Sequence, residues 1–550
     1  MKVTDTSDLW WKTAVVYNLD VETYLDWNDD GVGDFEGLAH RIDYLAELGV
    51  TCLWLAPFYP SPQKDNGYDI TDYYGVDPRY GHLGDVVEVF RTAKDRGIRV
   101  IVDLVVNHTS DQHPWFKEAL KGKDNQYRDY YRWRDEPPKN QKENAFPDTE
   151  EGTWFLDEKS GQYYRHSFYR HQPDLNTANP TVRDEIAKII GFWFQLGVDG
   201  FRVDAVPYLL DDDTPDDPYD FLRTLRRYVG RRSGTGMLLG EVNLPHDEQF
   251  EFFGDKDGDG LTMQFDFVTN QALYLALARE DARPIAASLL SRPALESSNQ
   301  WGNFVRNHDE LNLNQLTEEE RGFVFEQFAP EESMRLHGRG IRRRLPPLID
   351  SDPRRLAMVY SLMFALPGAP VLYYGEEIGM GENLDLPGRE SVRSPMQWSD
   401  QENGGFSSAP KRKLVTAVTG GGFGPEYVNA AQQRHVDSSL FTFMRTLIQT
   451  YRNSPEIGWG EFALLEQPYD AVLAHSLRTD TGYLVAVHNL GSEAHTVPIT
   501  LERIEPETRV VDLFHDHVLV PDERGRLDVP LEGYGHRWLR VVSPGEKRLT

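Results

Sequence analysis

Short apolar runs that alternate with helix-like patterns occupy residues 13–374 of this 550-residue chain. The run Ile98–Val106 is nearly all apolar, so it predicts a strand buried on both faces, as parallel strands are. Between such runs, apolar residues recur with the spacing of amphipathic helices. Repeated strand–helix units indicate a mainly parallel sheet covered by helices. The eight predicted strands are 13–21, 51–56, 98–106, 198–204, 237–241, 262–267, 301–306 and 369–374.

Eight strand–helix units fit a (β/α)8 TIM barrel, which reaches about this length when loops are inserted. The competing fold, a doubly wound open sheet, needs a glycine-rich phosphate loop after an early strand. The stretch NDDGVGDFEG at 28–37 is acidic and lacks that spacing. We therefore predict an α/β fold built on a (β/α)8 barrel. The predicted helices are 35–48, 84–96, 180–196, 219–230, 271–279 and 353–365.

Two segments break the strand–helix rhythm and predict further domains. Residues 107–176 are dense in Tyr, Trp, Arg, Asp and Pro, and they predict an inserted subdomain after strand 3. After about residue 455, short alternating runs such as YLVAVHNL predict a C-terminal antiparallel β-sandwich. Residues 317–350 are charged, and we expect them to be irregular. The expected domains are 1–106 with 177–455 (barrel), 107–176 (insert) and 456–550 (sandwich).

Composition and charge narrow the class of partner. The formal net charge of −30 argues against nucleic acid or an anionic membrane surface. No run approaches the roughly 18 apolar residues of a spanning helix, and the N-terminal stretch has no signal-peptide core. The single cysteine, Cys52, excludes an intrachain disulfide. We expect a cytoplasmic protein with a neutral small-molecule substrate. Its oligomeric state stays open, with a homodimer as one option.

Arg202 and Asp204 end one of the predicted strands, and a barrel carries its active site at the carboxyl ends of its strands. The two side chains share a face because side chains alternate along a strand. We therefore expect the guanidinium to lower the pKa of the Asp204 carboxyl group and to keep it ionised, as a nucleophile requires. An ion pair with a purely structural role is the alternative.

Four predicted strands end in groups that converge on one face: Asp204, Glu241, Asp309, His108 and His308. The sequence has no metal-binding cluster, cofactor fingerprint or catalytic Cys or Ser motif. Carboxylates alone suit cleavage of a glycosidic bond, which needs a nucleophile and an acid. Asp204 is then the ionised member, and burial would raise the pKa of Glu241 into the range of a general acid. Asp309 would stabilise positive charge on the sugar ring.

Four motifs resemble, in order and spacing, the signature regions of the α-amylase superfamily of retaining glycoside hydrolases. They are DLVVNH (103–108), GFRVDAV (200–206), GEV (240–242) and VRNHD (305–309). The resemblance covers nearly the whole chain. It implies that Asp204 is the nucleophile, Glu241 the acid/base and Asp309 the transition-state stabiliser.

Further motifs resemble the oligo-1,6-glucosidase group of that superfamily: QPDLN (172–176), GYDITDY (67–73) and VRSPMQW (392–398). In this group an Asp–Arg pair, matched here by Asp69 and Arg393, closes the pocket behind the terminal sugar, which implies small α-glucoside substrates. Ala205, after the nucleophile, favours the α-1,4 linkage. Aromatic loop residues suit stacking on sugar faces, with loop packing as the alternative. The implied substrate-binding residues are Tyr68, Asp69, His108, Phe168, Arg202, His308 and Arg393.

The stretch DWNDDGVGD (26–34) places oxygen ligands at alternate positions before a glycine, like the first half of a calcium loop. The twelfth position is Gly37, which excludes an EF-hand, and an acidic turn that caps the next helix is the alternative. The resemblance implies a structural calcium ion here, with magnesium as the other option, and a second cation site. The implied ligands are Asp26, Asn28, Asp30, Val32 and Asp34 for the first site, and Asn107 and Asp174 for the second.

Three more stretches resemble the maltose-isomerising subgroup of the family: VDAVPYL (203–209), FVRNHDELNLNQLTEEER (304–321) and GIRRRLPPL (340–348). The resemblance implies intramolecular transfer of an α-glucosyl group that converts maltose to trehalose, with side hydrolysis to glucose and no organic cofactor. The yield of trehalose would depend on keeping water away from the glucosyl-enzyme intermediate. Residues 317–350 are the candidate lid, and a solvated charged surface is the alternative.

Two other functions compete with isomerisation. An exo-acting α-1,4-glucosidase or transglucosidase would share every catalytic residue. A catalytically inactive transporter or scaffold subunit would lack at least one of the three carboxylates, and all three are present. The sequence therefore favours an enzyme and leaves the acceptor undecided. In the loop LPGRESVRSPMQW (386–398), the residues before VRSPMQW differ from the form typical of the subgroup. We expect this loop to lie near the pocket, so the difference bears on the choice of acceptor.

Overall fold

The computed structural model describes residues 9–141, 144–210, 217–254, 258–515 and 517–545. Its strands are β1 (Val16–Leu19), β2 (Cys52–Leu55), β3 (Arg99–Leu104), β4 (Trp133–Arg134), β5 (Trp154–Asp157), β6 (Gln162–Arg165), β7 (Gly200–Val203), β8 (Met237–Gly240), β9 (Met263–Phe265), β10 (Gln300–Phe304), β11 (Leu311–Asn312), β12 (Arg335–Leu336), β13 (Gly340–Ile341), β14 (Ala369–Tyr373), β15 (Glu461–Leu464), β16 (Val472–Thr479), β17 (Gly482–Asn489), β18 (His495–Thr500), β19 (Arg509–Asp512), β20 (Val518–Leu519), β21 (Arg526–Leu531) and β22 (His536–Val542).

The α-helices lie mostly between these strands. They are α1 (Phe35–Ala39), α2 (Ile42–Leu48), α3 (Leu83–Asp95), α4 (Pro114–Ala119), α5 (Pro180–Leu196), α6 (Asp220–Arg232), α7 (His246–Glu251), α8 (Phe267–Arg279), α9 (Arg283–Ser291), α10 (Glu318–Phe328), α11 (Leu345–Leu348), α12 (Pro353–Ala365), α13 (Ala430–Gln433), α14 (Leu440–Arg452) and α15 (Glu456–Trp459). None of the helices in these described ranges has the length and apolarity to cross a bilayer.

Eight parallel strands close into a barrel in the order β1-β14-β10-β9-β8-β7-β3-β2. Each predicted barrel strand overlaps one of them, so the predicted (β/α)8 fold is confirmed. The barrel interior is packed with apolar side chains from alternate strand positions, as the two-residue period requires. The interior residues contributed by the strands are Val16, Cys52, Trp54, Ile101, Met237, Leu239, Met263, Phe265, Phe304, Ala369 and Val371.

Gly200 at the start of β7 shows how closely the barrel strands approach. A Cβ atom added to Gly200 would lie 2.4 Å from the carbonyl oxygen of Met237, its partner on β8. A larger residue would push the two strands apart. Since Arg202 lies on β7 and Glu241 directly follows β8, this close pairing holds the two side chains in register.

Two smaller units flank the barrel. Within the predicted insert, β4, β6 and β5 form an antiparallel sheet. At the C-terminal end, a six-stranded sheet (β15-β16-β17-β22-β19-β20) and the β18–β21 pair share an apolar cluster that includes Val485, Val497 and Val529. This confirms the predicted C-terminal antiparallel β-structure. The exact domain limits stay predictions, and residues 1–8 and 546–550 of the predicted barrel and sandwich lie outside the described residues.

Two secondary-structure predictions were wrong. Residues 317–350 are not irregular, because α10 begins there with a capping box in which Thr317 and Glu320 each accept from the other's backbone amide. The same segment then forms β12 and β13, which pair with each other and with β11. The predicted helix 35–48 is two helices, since α1 ends at Ala39 and α2 begins at Ile42.

Candidate active site

Arg202 lies at the centre of the charged end of the barrel and contacts three carboxylates. Its Nη1 atom lies 2.6 Å from Asp103 and 2.5 Å from Asp204, and its Nη2 atom lies 2.6 Å from Glu241. Asp103 faces Arg202 because the two residues are register partners on β3 and β7. The indole of Trp54 donates to the other Asp103 oxygen at 2.6 Å. The arrangement fixes two of the predicted catalytic carboxylates against one buried guanidinium.

The pKa of Asp204 shifts in the direction opposite to the prediction. Arg202 lowers it, as expected, but burial of the carboxyl group is the larger effect and raises the pKa of Asp204 to about 6. Asp103 and Asp309 raise it further through like-charge repulsion. The predicted direction followed from the ion pair alone, whereas desolvation disfavours the charged form of a buried acid.

The structure confirms the predicted direction of the pKa shift of Glu241, which is upward. Burial raises the pKa of Glu241 to about 7, and the charges of Asp204 and Asp309 act in the same direction against the lowering effect of Arg202. Its carboxylate also accepts from the backbone amide of Ala205 at 3.2 Å. Ala205 has a left-handed backbone with φ of 44°, which turns the chain sharply just after Asp204. Burial thus raises the pKa of both carboxyl groups above the ordinary range of acidic side chains.

Asp309, the third predicted carboxylate, contacts two guanidinium groups and one imidazole. Its Oδ1 atom lies 3.0 Å from Arg389 Nη1 and 3.1 Å from Arg393 Nη2, and its Oδ2 atom lies 3.2 Å from His308 Nε2. Burial alone would raise the pKa of Asp309, but these neighbours outweigh it, Arg389 most strongly, and hold the pKa well below the usual range. Asp309 is therefore ionised at neutral pH, as the predicted stabiliser must be.

The predicted sugar-binding residues on this face contact one another. The Tyr68 hydroxyl lies 2.8 Å from His308 Nε2, and His108 Nε2 lies 3.2 Å from the Tyr68 carbonyl oxygen. Burial lowers the pKa of His308 to about 3, so its ring is neutral near pH 7. Phe168 packs 5.4 Å from the His108 ring. Neutral imidazoles and aromatic faces of this kind suit sugar hydroxyls and sugar rings.

A cavity of about 250 Å³ opens in front of these residues. Its lining includes the three carboxylates and both histidines, together with Tyr68 and Phe168. It also includes Asn243, Asn312 and Asn314, whose amides can pair with hydroxyl groups. The structure thus brings together most of the predicted catalytic and substrate-binding residues.

The prediction that Asp69 pairs with Arg393 is wrong, because each of these two described residues contacts other groups. Asp69 is fully buried and accepts from the Ser61 hydroxyl at 2.8 Å and from the backbone amides of Lys64 and Asp65 at 3.1 Å. Arg393 instead contacts Asp309 and donates to the His308 carbonyl oxygen at 2.8 Å. The motif match gave both residues a buried place near the site but could not show how the loop after β2 folds around Asp69.

Several charged residues of the site were missed by the sequence reasoning, among them Arg389 and Glu310. Arg389 contacts Asp309 and also lies 2.8 Å from Glu310, which is buried next to it. Burial alone would raise the pKa of Glu310, but Arg389 lowers it, so the net direction is down. Arg389 lies in the loop that departs from the subgroup's form, so the family motifs did not mark it. Glu310 directly follows the VRNHD motif, which was the available signal.

The predicted calcium loop folds around its own carboxylates. Asp26 accepts from the amides of Asp29 and Gly31, each at 2.8 Å, and Asp34 accepts from the amides of Trp27 and Asn28 at 3.0 and 3.2 Å. The atoms of this loop that could bind a cation are all oxygens, which suits a hard cation. Among the described residues, no three His, Cys, Asp or Glu side chains are grouped to hold a metal on their own. The predicted ligand set also uses the Asn28 amide and the Val32 carbonyl.

The second predicted cation site is held together by protein groups. Asn107 donates to Asp174 at 3.3 Å, and Ser167 donates to it through its backbone amide and its hydroxyl at 2.9 and 2.6 Å. Arg165 lies 3.2 Å from the same carboxylate and neutralises its charge. These contacts link the insert to the end of β3, and the second cation site stays a prediction.

Comparisons with known proteins agree with the site. The family model for the catalytic domain of alpha amylase matches residues 21–327 and 343–460, and a sucrose hydrolase-like C-terminal domain matches residues 482–540. The chain is 39% identical to trehalose synthase/amylase from Mycobacterium tuberculosis, covering 97% of this chain and 90% of the relative. It is 38% identical to trehalose synthase from Pimelobacter, covering 97% and 96%.

Among solved structures, isomaltulose synthase from Klebsiella aligns with a TM-score of 0.75 at 25% identity, covering 97% of this chain and 99% of that one. The match therefore extends over the barrel, the insert and the C-terminal sheets. Together with the family model, which covers more than half of the chain, it establishes the family. This chain belongs to the alpha-amylase family.

Proposed function

We propose that this enzyme isomerises maltose to trehalose by intramolecular transfer of an α-glucosyl group with retention of configuration. The observation that carries the transfer chemistry is the pair Asp204 and Glu241, which contact neighbouring nitrogens of the Arg202 guanidinium. A retaining mechanism needs two carboxyl groups close together. The acceptor choice rests on the two relatives named trehalose synthase, at 38–39% identity over nearly the whole chain.

In the first step, an Asp204 oxygen attacks the anomeric carbon of the non-reducing glucose. The glycosidic C–O bond breaks as Glu241 gives its proton to the leaving oxygen, which becomes the 4-hydroxyl group of free glucose. The product is a glucosyl ester on Asp204. Arg202 contacts both carboxylates, so it can hold Asp204 in position while the charge on Glu241 changes. The ionised Asp309 stabilises the positive charge that develops on the ring.

In the second step, the freed glucose turns within the cavity and presents its anomeric hydroxyl group to the anomeric carbon of the glucosyl ester. Glu241 takes the proton of that hydroxyl group, the new C–O bond forms, and the ester bond to Asp204 breaks. The product is trehalose. Water that reaches the ester instead gives two glucose molecules, so the yield depends on how well the cavity retains the sugar and excludes water.

Approach to equilibrium from both sides tests this proposal. Purified enzyme is incubated with maltose in one reaction and with trehalose in another, and all sugars are quantified over time. An isomerase brings both reactions to the same maltose-to-trehalose ratio, with glucose as a minor product. An exo-acting α-1,4-glucosidase would convert maltose to glucose as the sole product, and a transglucosidase would yield longer oligosaccharides. Either of those outcomes would contradict the proposal.

The pH profile of kcat/KM for maltose should be a narrow bell that peaks between about pH 6 and pH 7. Burial raises the pKa of Asp204 to about 6, so lowering the pH through that value protonates the nucleophile. Burial raises the pKa of Glu241 to about 7, so raising the pH through that value removes the acid's proton. The profile of kcat/KM reports the free enzyme. A maximum above about pH 8 would contradict these assignments.

The loop 26–34 is also proposed to bind a structural calcium ion, with magnesium as the other option. Its oxygen donors fit a hard cation, and the ion would act on stability, since the loop is not part of the cavity lining. Saturating calcium should raise Tm by roughly 2 °C over enzyme treated with a chelator. The variant Asp30→Asn keeps the acceptor for the Val32 amide, seen at 2.9 Å, but should lose most of the rise.

Differential scanning calorimetry with calcium, with magnesium and with chelator measures this effect, and isothermal titration checks binding directly. Equal Tm values in all three conditions would remove the calcium proposal. An equal rise in the Asp30→Asn variant would place the ion elsewhere. A disaccharide α-glucoside remains the proposed partner, while a cytoplasmic location, no nucleic acid or membrane partner, and a homodimer as one option remain predictions.

A further inference from the structure

The hairpin β12–β13 reaches across the rim of the catalytic cavity to the insert. Its turn begins with His337 and Gly338, whose φ values of 53° and 61° are both in the left-handed region. A side-chain-bearing residue rarely adopts that conformation. At His337 it turns the imidazole toward the insert, where only 8% of the side chain remains exposed.

Three contacts between described residues join the hairpin to the insert, and we call this group of contacts the clasp. His337 Nδ1 lies 2.8 Å from Asp148 Oδ2. Arg339 Nη2 donates to the Ala145 carbonyl oxygen at 2.8 Å. The His337 ring also packs against Phe146 at 5.2 Å between centroids. The hairpin comes from the loop after β10 and the insert from the loop after β3, so the clasp joins two separate parts of the chain.

The clasp is continuous with the catalytic centre. Ala145, Phe146 and Arg339 line the cavity, whereas His337 and Asp148 lie behind them and are not part of its lining. The guanidinium of Arg389 lies 5.1 Å from the centre of the Phe146 ring, and the same Arg389 contacts Asp309. Phe146 is thus held between the clasp and a cation that touches the proposed stabiliser. Loosening the clasp would open the wall of the cavity beside the reacting sugar.

We propose that the His337–Asp148 contact determines how the glucosyl ester on Asp204 divides between transfer to the retained glucose and transfer to water. The inference rests on the proposed isomerisation. Both outcomes break the same ester bond with Glu241 as the base, and they differ only in whether a sugar hydroxyl or water supplies the oxygen. The contact acts by keeping Ala145 and Phe146 over the cavity while the glucose turns. His337 and Asp148 are positioning residues and touch no reacting atom.

The test compares His337→Ala, Asp148→Asn and the double variant with the unaltered enzyme. Each variant is incubated with maltose, and the fraction of product released as glucose is measured at low conversion. The Asp148 side chain is 49% exposed, and contacts of that kind are individually weak, so we expect each single variant to raise the glucose-to-trehalose ratio by about two- to fivefold. The double variant should give the same ratio as each single one, because both changes remove one contact.

A second readout separates this role from a general loss of stability. The first-turnover release of fluoride from α-glucosyl fluoride reports formation of the ester, and its rate should be unchanged in all three variants. The exposed His435→Ala variant should leave both readouts unchanged. If the unaltered enzyme makes trehalose and the variants give the same glucose-to-trehalose ratio as it does, the clasp proposal alone is overturned. Unaltered enzyme that makes only glucose would overturn the proposed function itself.

Discussion

Replacing Asp204 with asparagine is expected to lower the turnover of maltose by at least about 10⁴-fold. Asparagine keeps the shape of the side chain but cannot form the glucosyl ester. The fold should survive, because Arg202 retains Asp103 at 2.6 Å and Glu241 at 2.6 Å. Its charge is therefore still paired after the change, which avoids the large cost of leaving a buried charge alone.

Turnover of maltose and of α-glucosyl fluoride should fall together in Asp204→Asn, since both substrates need the nucleophile. Circular dichroism and Tm check that the variant is folded, and Asp400→Asn, at an exposed position, is the matched control. A variant that is folded and retains a tenth or more of normal turnover would show that another group forms the intermediate.

Replacing Glu241 with glutamine should reduce maltose turnover by about 10²- to 10⁴-fold, the usual contribution of a general acid. The size of the loss should depend on the leaving group. The leaving group of maltose is the 4-oxygen of glucose, which needs a proton. α-Glucosyl fluoride loses a weakly basic fluoride ion, which needs little help from an acid. We therefore expect a much smaller loss in the first-turnover release of fluoride than in maltose conversion, because every later turnover needs Glu241 as the base.

The pH profile provides a second check on Glu241. The alkaline limb near pH 7 should disappear in Glu241→Gln, since glutamine does not titrate, while the acid limb from Asp204 near pH 6 should remain. Exposed Glu88→Gln is the matched control. An equal loss for both substrates with an unchanged pH profile would contradict the acid role of Glu241.

The sequence predicted the barrel and the convergence of the site because both depend on local patterns. Buried strands read as apolar runs, and in a barrel their last residues must meet at one end. Asp103 and Arg202, for example, become register partners as soon as β3 and β7 are neighbours. The helix α10 was also within reach, since Thr317 and Glu320 have the spacing of a capping box.

Other features could not be read from the sequence, because they depend on how distant loops pack. The pKa of Asp204 rises although Arg202 lies beside it, since the burial of the carboxyl group comes from the whole site. Asp69 accepts from a tight loop after β2 instead of meeting Arg393. Arg389 and the clasp join segments that are far apart in the chain, and no local spacing indicates which residues will meet.

The proposed isomerisation requires that the freed glucose stays in the cavity and becomes the acceptor. The most direct measurement is a time course on unlabelled maltose in the presence of excess ¹³C-labelled glucose, followed by NMR and mass spectrometry. We predict trehalose as the main product, almost free of label, with minor glucose. Trehalose that carries the label would show that glucose leaves and another molecule enters, and glucose without trehalose would show that the enzyme is a hydrolase.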